Sequence, residues 1–70
     1  MNYKKTVGEN IRALRIAKGW TQEKLAVRCE LSFEYVNRLE NGHVNVSVGT
    51  LLKISKALRS AVIDLLKGLD

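Results

Sequence analysis

Residues 21–42, TQEKLAVRCELSFEYVNRLENG, constrain the fold more than any other part of the chain. Thr21 and Ser32 belong to the residue types that cap helix N-termini, and each precedes a segment with apolar residues at helical spacing. Gly42 fits the left-handed residue that ends a helix. The pattern predicts two short helices joined by a tight turn, the first of about eight residues and the second over residues 33–40 or 33–41.

The second of these helices separates into an apolar face and a polar face. At about 100° per residue, Val36 and Leu39 fall on one side together with Ser32, and Phe33 lies near its edge. We expect that side to be buried. The opposite face carries side chains whose donors and acceptors suit base edges and phosphates: Glu34, Asn37, Arg38 and Asn41.

Composition and charge limit what can surround this segment. Seventy residues make one small domain, and we expect a single domain over residues 1–70. The apolar content of 46 % argues against disorder, and the lack of proline favours an all-α fold, here of five helices. Twelve Lys and Arg against seven Asp and Glu give a net charge of +5, which suits a polyanionic partner.

Three further helices are predicted around the central pair. The first covers about residues 7–18, with Thr6 as N-cap, Gly19 as terminator and Trp20 filling the junction that follows. After a loop over residues 43–46, Ser47 caps the fourth helix, and the last helix covers about residues 62–69. Apolar spacing places the following residues toward the core: Val7, Ile11, Leu14, Leu25, Ala26, Cys29, Val48, Leu51, Leu52, Ser55, Leu58, Val62, Leu65, Leu66 and Leu69.

Other classes of protein find little support in the sequence. The single cysteine, Cys29, has no partner for an internal disulfide, so we expect a small core residue in a reducing, cytoplasmic setting. No apolar run approaches the roughly 18 residues that a membrane span needs. A single histidine, His43, is not enough to form a metal site. The sequence also contains no nucleophile with a general base at a plausible spacing. We therefore expect no enzyme activity, metal, cofactor or small-molecule ligand.

The chain resembles the phage repressor and Cro-type helix-turn-helix family, also called the xenobiotic response element family. The segments IRALRIAKGW and NVSVGTLLKISKAL are similar to that family too, so the resemblance covers nearly the whole chain. The motif residues that carry it are Gln22, Leu25, Ala26, Leu31, Ser32, Val36, Leu39, Glu40, Asn41 and Gly42.

This resemblance implies a five-helix repressor-like domain in which the second and third helices form the helix-turn-helix. It also implies binding to double-stranded operator DNA as a homodimer, with the third helix in the major groove and the last helix in the dimer contact. Short members of the family include phage Cro-like repressors and the controller proteins of restriction-modification operons. The NVS sequence and the absence of a second domain favour the controllers.

The resemblance also implies roles for individual residues. Base reading, or contact with the adjoining backbone, falls to Ser32, Phe33, Glu34, Asn37 and Arg38, which agrees with the pairing of Arg with guanine, Glu with cytosine and Asn with adenine. Phosphate binding falls to Gln22, Tyr35, Asn41, Gly42 and His43. A structural ion pair joins Arg15 to Glu40, and the dimer contact involves Val62, Ile63 and Leu66.

Three departures from the family pattern carry expectations of their own. Glu30 stands in the turn where relatives usually have Gly or Asn, so it either holds a left-handed conformation at a cost of about 1 kcal/mol or the turn is remodelled. Arg59 and Ser60 occupy a helix connection where relatives often have Gly. Ile63 stands where relatives often have an acidic residue, which favours a hydrophobic dimer seam.

The sequence leaves two alternatives beside a sequence-specific transcriptional regulator. The same fold occurs in antitoxin or adaptor-type modules that bind a protein partner. The chain is also consistent with the DNA-binding part of a longer regulator, although its starting Met and complete last helix argue against that interpretation.

Overall fold

Residues 2–69 fold into five helices packed around one apolar core. The structure, a computed structural model, describes residues 2–69; Met1 and Asp70, the two ends of the predicted domain, lie outside the described residues. Within residues 2–69 there is no strand, and the helices are α1 (Tyr3–Ala17), α2 (Gln22–Cys29), α3 (Phe33–Glu40), α4 (Val48–Leu58) and α5 (Val62–Leu65). The predicted all-α class is confirmed. No helix in this part of the chain is long and apolar enough to cross a bilayer.

Side-chain caps set the start of four helices. Thr21, Ser32 and Ser47 cap α2, α3 and α4 as predicted, and Ser32 Oγ accepts a hydrogen bond from Tyr35 N at 3.0 Å. The N-cap predicted for α1 is wrong. Asn2 Oδ1 accepts from Lys5 N at 3.2 Å, so α1 begins about one turn before Thr6. This first turn carries no residue of the buried stripe, which is why apolar spacing did not reveal it.

The four longer helices end in the same way. A backbone N–H beyond each helix reaches back five residues, as in Trp20 N to Arg15 O at 3.2 Å and Leu31 N to Ala26 O at 2.9 Å. This bond requires a residue with positive φ next to the last turn. The residues in that position, with φ between 53° and 78°, are Gly19, Glu30, Gly42 and Arg59. Of the two alternatives for Glu30, a left-handed conformation or a remodelled turn, the left-handed conformation is the one observed.

The core lies where α3 packs against α1 and α2, and α4 packs against α2 and α5. Its buried hydrophobic residues are Val7, Ile11, Leu25, Ala26, Cys29, Val36, Leu39, Leu51, Ile54, Leu58 and Leu65. Two predictions for α4 are wrong, since Val48 is 72 % exposed and Leu52 is 45 % exposed, while the unpredicted Ile54 is fully buried. The apolar arc of α4 is wider than the face its neighbours cover, so one flank stays in solvent.

The last helix is shorter than predicted. It ends at Leu65, and the segment up to Leu69 continues as turns in which Gly68 has a φ of 92°. Asn10 of α1 holds this segment, because its Nδ2 donates to Leu65 O at 2.9 Å and to Lys67 O at 2.8 Å. These carbonyls therefore bind α1 rather than a further helical turn, and Leu69 still packs against the core.

A close backbone contact fixes α3 against α1. A Cβ atom added to Gly8 would lie 2.3 Å from Leu39 O and 3.0 Å from Glu40 O. A methyl group does not fit there, so only glycine permits this approach. The end of α3 is held similarly, because a Cβ on Gly42 would lie 2.9 Å from Lys5 Cα. The position of α3 is thus set by backbone atoms at both of these points.

Candidate nucleic-acid interface

The outer face of α3 is exposed and chemically varied. Val36 and Leu39 are fully buried and seat the helix on the core. Phe33 is 47 % exposed, and Glu34 and Arg38 are exposed as well. Within residues 2–69 neither of these two charged side chains makes an ion pair. This face therefore presents the aromatic edge of Phe33. Beside it are a carboxylate and a guanidinium whose hydrogen-bonding groups are free.

Ser32 lies in solvent at the start of α3, contrary to its predicted place on the buried side. An N-cap residue precedes the first helical turn, so it does not follow the spacing that buries Val36. Its hydroxyl oxygen accepts from Tyr35 N, which leaves the hydroxyl hydrogen available as a donor. Ser32 can therefore cap the helix and donate to a phosphate or a base at the same time.

A buried ion pair anchors α3 to α1, and it confirms the predicted Arg15–Glu40 pair. Arg15 Nε donates to Glu40 Oε2 at 2.7 Å, and Arg15 Nη2 donates to Glu40 Oε1 at 3.0 Å. The Arg15 and Glu40 side chains are only 10 % and 1 % exposed. Arg15 Nη1 also donates to Trp20 O at 2.7 Å, which ties the α1–α2 junction to the same guanidinium. This bidentate geometry fixes both the distance and the rotation of α3.

Three amide side chains extend this network to the end of α3. Gln22 Nε2 donates to Glu40 Oε1 at 3.0 Å, and Asn37 Nδ2 donates to Gln22 Oε1 at 3.2 Å. Asn41 Nδ2 then donates to Asn37 Oδ1 at 3.3 Å. Gln22 therefore braces α3 through these bonds, and one N–H of its amide remains free. Asn37 is half-buried with both amide atoms engaged, so its reading of adenine stays a prediction that would have to displace these bonds.

The remaining predicted phosphate ligands lie around the C-terminal end of α3. Asn41 and His43 are exposed, and Gly42 is half-buried beside Lys5. Tyr35 is half-buried and packs against the core. The structure brings Asn41, Gly42 and His43 together at one helix end, whereas Gln22 lies at the start of α2. Their contact with phosphate stays a prediction.

The predicted dimer residues lie on α5 or directly after it, and they differ in exposure. Ile63 is 71 % exposed, while Val62 and Leu66 are half-buried. An isoleucine this exposed on a helix with two apolar neighbours provides a surface that a second subunit can cover. The structure holds one chain, so the seam itself stays a prediction.

Cys29 is a core residue, as expected. It lies on the buried face of α2 and forms no disulfide. Burial raises the pKa of its thiol above the usual value, and the charge of Lys53 partly opposes this shift. The thiolate is therefore scarce at neutral pH, which makes Cys29 a poor nucleophile. Residues 2–69 also contain no cluster of His, Cys, Asp and Glu that could hold a metal ion.

A cationic cluster at the α1–α2 junction was not predicted. Lys18 Nζ, Lys24 Nζ and the guanidinium carbon of Arg28 lie 5.3, 5.6 and 5.5 Å from the centroid of the Trp20 ring. The four-residue spacing of Lys24 and Arg28 puts them on one face of α2, which is a signal present in the sequence. That this face lies over Trp20 follows only from the folded junction. We call these four residues the Trp20 cluster.

The fold and this surface define a helix-turn-helix protein, and comparison with known proteins agrees. A profile of the helix-turn-helix family HTH_3 matches residues 11–65. The control protein C.BamHI of Bacillus amyloliquefaciens is 41 % identical over 66 residues, which cover 93 % of this chain and 82 % of that protein. The crystal structure of the restriction-modification controller protein C.AhdI from Aeromonas hydrophila is 39 % identical, covers 87 % of this chain and 92 % of its own, and has a TM-score of 0.84.

A third similar protein is the hypothetical transcription factor NHTF from Neisseria. Its crystal structure is 34 % identical to this chain, with a TM-score of 0.87 and coverage of 91 % of this chain and 74 % of its own. The chain belongs to the HTH_3 helix-turn-helix family of DNA-binding transcriptional regulators, as its sequence predicted. Members of this family are DNA-binding regulators and not enzymes, which agrees with the prediction of no catalytic activity.

Proposed function

We propose that the protein is a homodimeric transcriptional regulator that binds a two-fold symmetric operator with α3 in the major groove. The observation that carries this proposal concerns the two faces of α3. The charged side chains of its outer face make no ion pairs, while its inner face is held rigidly on the core. Phe33, Glu34 and Arg38 project from a helix whose rotation is fixed by the Arg15–Glu40 pair. Rigid presentation of varied polar groups is what sequence reading in the major groove requires.

Phosphate contacts position such a reader on the duplex. Asn41 and His43 lie at the end of α3, and the Gln22 amide, which bonds Glu40 and Asn37, has a free N–H near the same end. Contacts of this kind fix register and orientation without carrying sequence information. The net charge of +5 adds a general attraction to the duplex.

Dimerisation through Val62, Ile63 and Leu66 would place two copies of α3 on the same side of the duplex. Half-sites would then lie about 10 bp apart, one helical turn, as for other dimeric helix-turn-helix proteins. Similarity to C.BamHI and C.AhdI supports a controller of the restriction-modification type, acting in the cytoplasm. The sign of regulation depends on where the operator lies relative to a promoter.

The first test is selection of bound duplexes from a random pool. The affinity for the most enriched duplex is then compared by titration with the affinity for a scrambled duplex. We expect a two-fold symmetric sequence bound about 10³-fold more tightly than the scramble. Arg38→Ala should weaken binding about 5- to 150-fold and relax the preference at one position in each half-site. Asn41→Ala is the matched control, because loss of a phosphate contact should weaken all sequences alike.

One result would contradict the proposal as a whole, and another would contradict only the role given to Arg38. Failure to enrich any sequence, with binding that disappears as salt is raised, would leave only non-specific attraction and favour the protein-binding alternative. A uniform loss of affinity for every sequence with Arg38→Ala would remove Arg38 from base reading while leaving operator binding intact.

A further inference from the structure

The Trp20 cluster gathers three cationic groups that the proposed reading surface does not use. Each of its three cationic groups lies within 5.6 Å of the ring centroid, so no two of them are more than about 11 Å apart. This limit is longer than the Debye length of about 8 Å at physiological ionic strength and shorter than the roughly 30 Å at 0.01 M salt, so groups this far apart repel one another strongly only at low salt. Within residues 2–69 none of the three makes an ion pair with an acidic side chain. An anion placed among them would relieve this repulsion.

The cluster is held in a fixed position relative to α3. Trp20 O accepts from Arg15 Nη1 at 2.7 Å, and the same guanidinium binds Glu40 of α3. Trp20 itself is half-buried against the core. The cations therefore gather on a ring whose backbone belongs to the network that orients the reading helix.

The direction in which the cluster faces limits the part of a duplex that it can contact. Gln22 points toward α3, where it bonds Glu40 and Asn37. At 100° per residue, Lys24 and Arg28 lie about 200° and 240° around α2 from Gln22, so they face away from α3. In helix-turn-helix complexes the first helix of the motif crosses the DNA backbone while the second occupies the groove. Cations on the side of α2 turned away from α3 can contact only backbone outside the groove that α3 reads, and not the phosphates beside Gln22.

We infer that Lys18, Lys24 and Arg28, gathered on Trp20, form a second phosphate-binding surface that contacts duplex backbone flanking the half-site read by α3. This inference rests on the proposed function, because it places α3 in the major groove. The surface supplies affinity and no base preference, since its ligands are phosphates. It extends the footprint of each subunit beyond the operator sequence itself.

Salt dependence of binding measures the number of phosphates contacted. Each lost contact reduces the slope of log K against log salt by about 0.9. We expect Lys24→Gln and Arg28→Gln each to reduce the slope by that amount, so that the fall in affinity between 50 and 200 mM salt becomes about 3.5-fold smaller per variant. Lys56→Gln is the matched control. Lys56 is an exposed lysine in the last turn of α4, and its loss changes the net charge by the same amount as each of the two variants.

Fluorescence of Trp20, the only tryptophan in the chain, reports on the same surface. We expect it to change when the protein binds a duplex that extends several base pairs beyond the half-sites, and to change much less with a duplex trimmed to the half-sites. The binding titrations use the selected duplex and its scramble in parallel, so the cluster and base preference are read separately.

The outcomes distinguish the inference from the proposed function. Unchanged salt slopes in both variants, together with normal operator preference of the unmodified protein, would overturn the inference alone. Reduced slopes on both duplexes without any preference for the selected one would support the cluster as a phosphate site and contradict operator reading. If a glutamate-rich peptide changes Trp20 fluorescence and extended duplex does not, the partner is an acidic protein segment and the inference is wrong.

Discussion

Glu30 shows how one residue can hold an unfavourable conformation in the middle of a functional motif. It lies at the turn between α2 and α3 with φ 55° and ψ 41°, and its side chain is exposed. In this region the Cβ of an L residue crowds the following carbonyl oxygen. The turn keeps this conformation because Leu31 N bonds Ala26 O and Leu31 packs against the core beyond it.

Glu30→Gly should raise the free energy of unfolding by about 0.5–1 kcal/mol, since glycine adopts positive φ without the steric cost. Urea denaturation followed by circular dichroism measures this change. Glu30→Ala is the matched control, because it removes the carboxylate and keeps the Cβ, and it should give no such gain. Equal gains from both variants would mean that charge, rather than backbone strain, sets the stability of the turn.

Single residues were predictable where their role is local. Thr21, Ser32 and Ser47 cap helices through bonds to backbone only three residues away, so a short window of sequence contains the whole interaction. The cations on Trp20 were not predictable in this way. Lys18 and Arg28 meet at one ring only after the α1–α2 junction has folded, and no local pattern encodes that meeting.

At the scale of elements, α3 is held by one polar network and by the burial of Val36 and Leu39 in the core. The network joins α1, α2 and α3 through Glu40, which accepts two bonds from Arg15 and one from Gln22. A buried carboxylate with three donors is well satisfied, but the removal of its charge leaves the Arg15 guanidinium buried without a counter-charge.

Glu40→Gln should therefore lower the free energy of unfolding by about 3–5 kcal/mol, a large part of the stability of so small a domain. Thermal and urea unfolding measure this loss. Lys67→Gln removes one member of the exposed Lys67–Asp64 pair, whose N–O distance is 3.2 Å, and should cost less than about 1 kcal/mol. Similar losses from the two variants would show that burial of the Arg15–Glu40 pair adds nothing to its importance.

The existence and order of the helices followed from apolar spacing and caps, while two details of their faces did not. Spacing shows which residues of α4 are apolar, but not how much of that arc its neighbours cover, so Leu52 was placed in the core wrongly. The turns after α5 are held by Asn10, which is 55 residues from Leu65 in the chain. Long-range contacts of this kind are invisible to a local pattern.

For the whole molecule, the small size of the domain and its exposed apolar side chain Ile63 both favour the proposed dimer. A domain of 70 residues buries a smaller share of its surface than a larger one, so its stability is modest. Covering Ile63 with a second subunit would add apolar burial and make the midpoint of thermal unfolding depend on protein concentration.

Ile63→Asp should leave each subunit folded, separate the proposed dimer and weaken binding to the full operator, because a charge at the seam cannot be buried without a partner. Light scattering gives the mass, and circular dichroism verifies the fold. Val48→Asp is the matched control, since Val48 is 72 % exposed and Ile63 is 71 % exposed. An unchanged mass for Ile63→Asp would remove Ile63 from the seam.

The contact between Gly8 and the Leu39 carbonyl has a consequence for how such proteins diverge. Because backbone atoms and the Arg15–Glu40 pair set the pose of α3, the outward side chains Phe33, Glu34 and Arg38 are not needed to hold it. Substitutions among them can alter the recognised DNA sequence while the scaffold keeps its stability. New specificities can therefore arise one exchange at a time, by drift along a surface that folding leaves unconstrained.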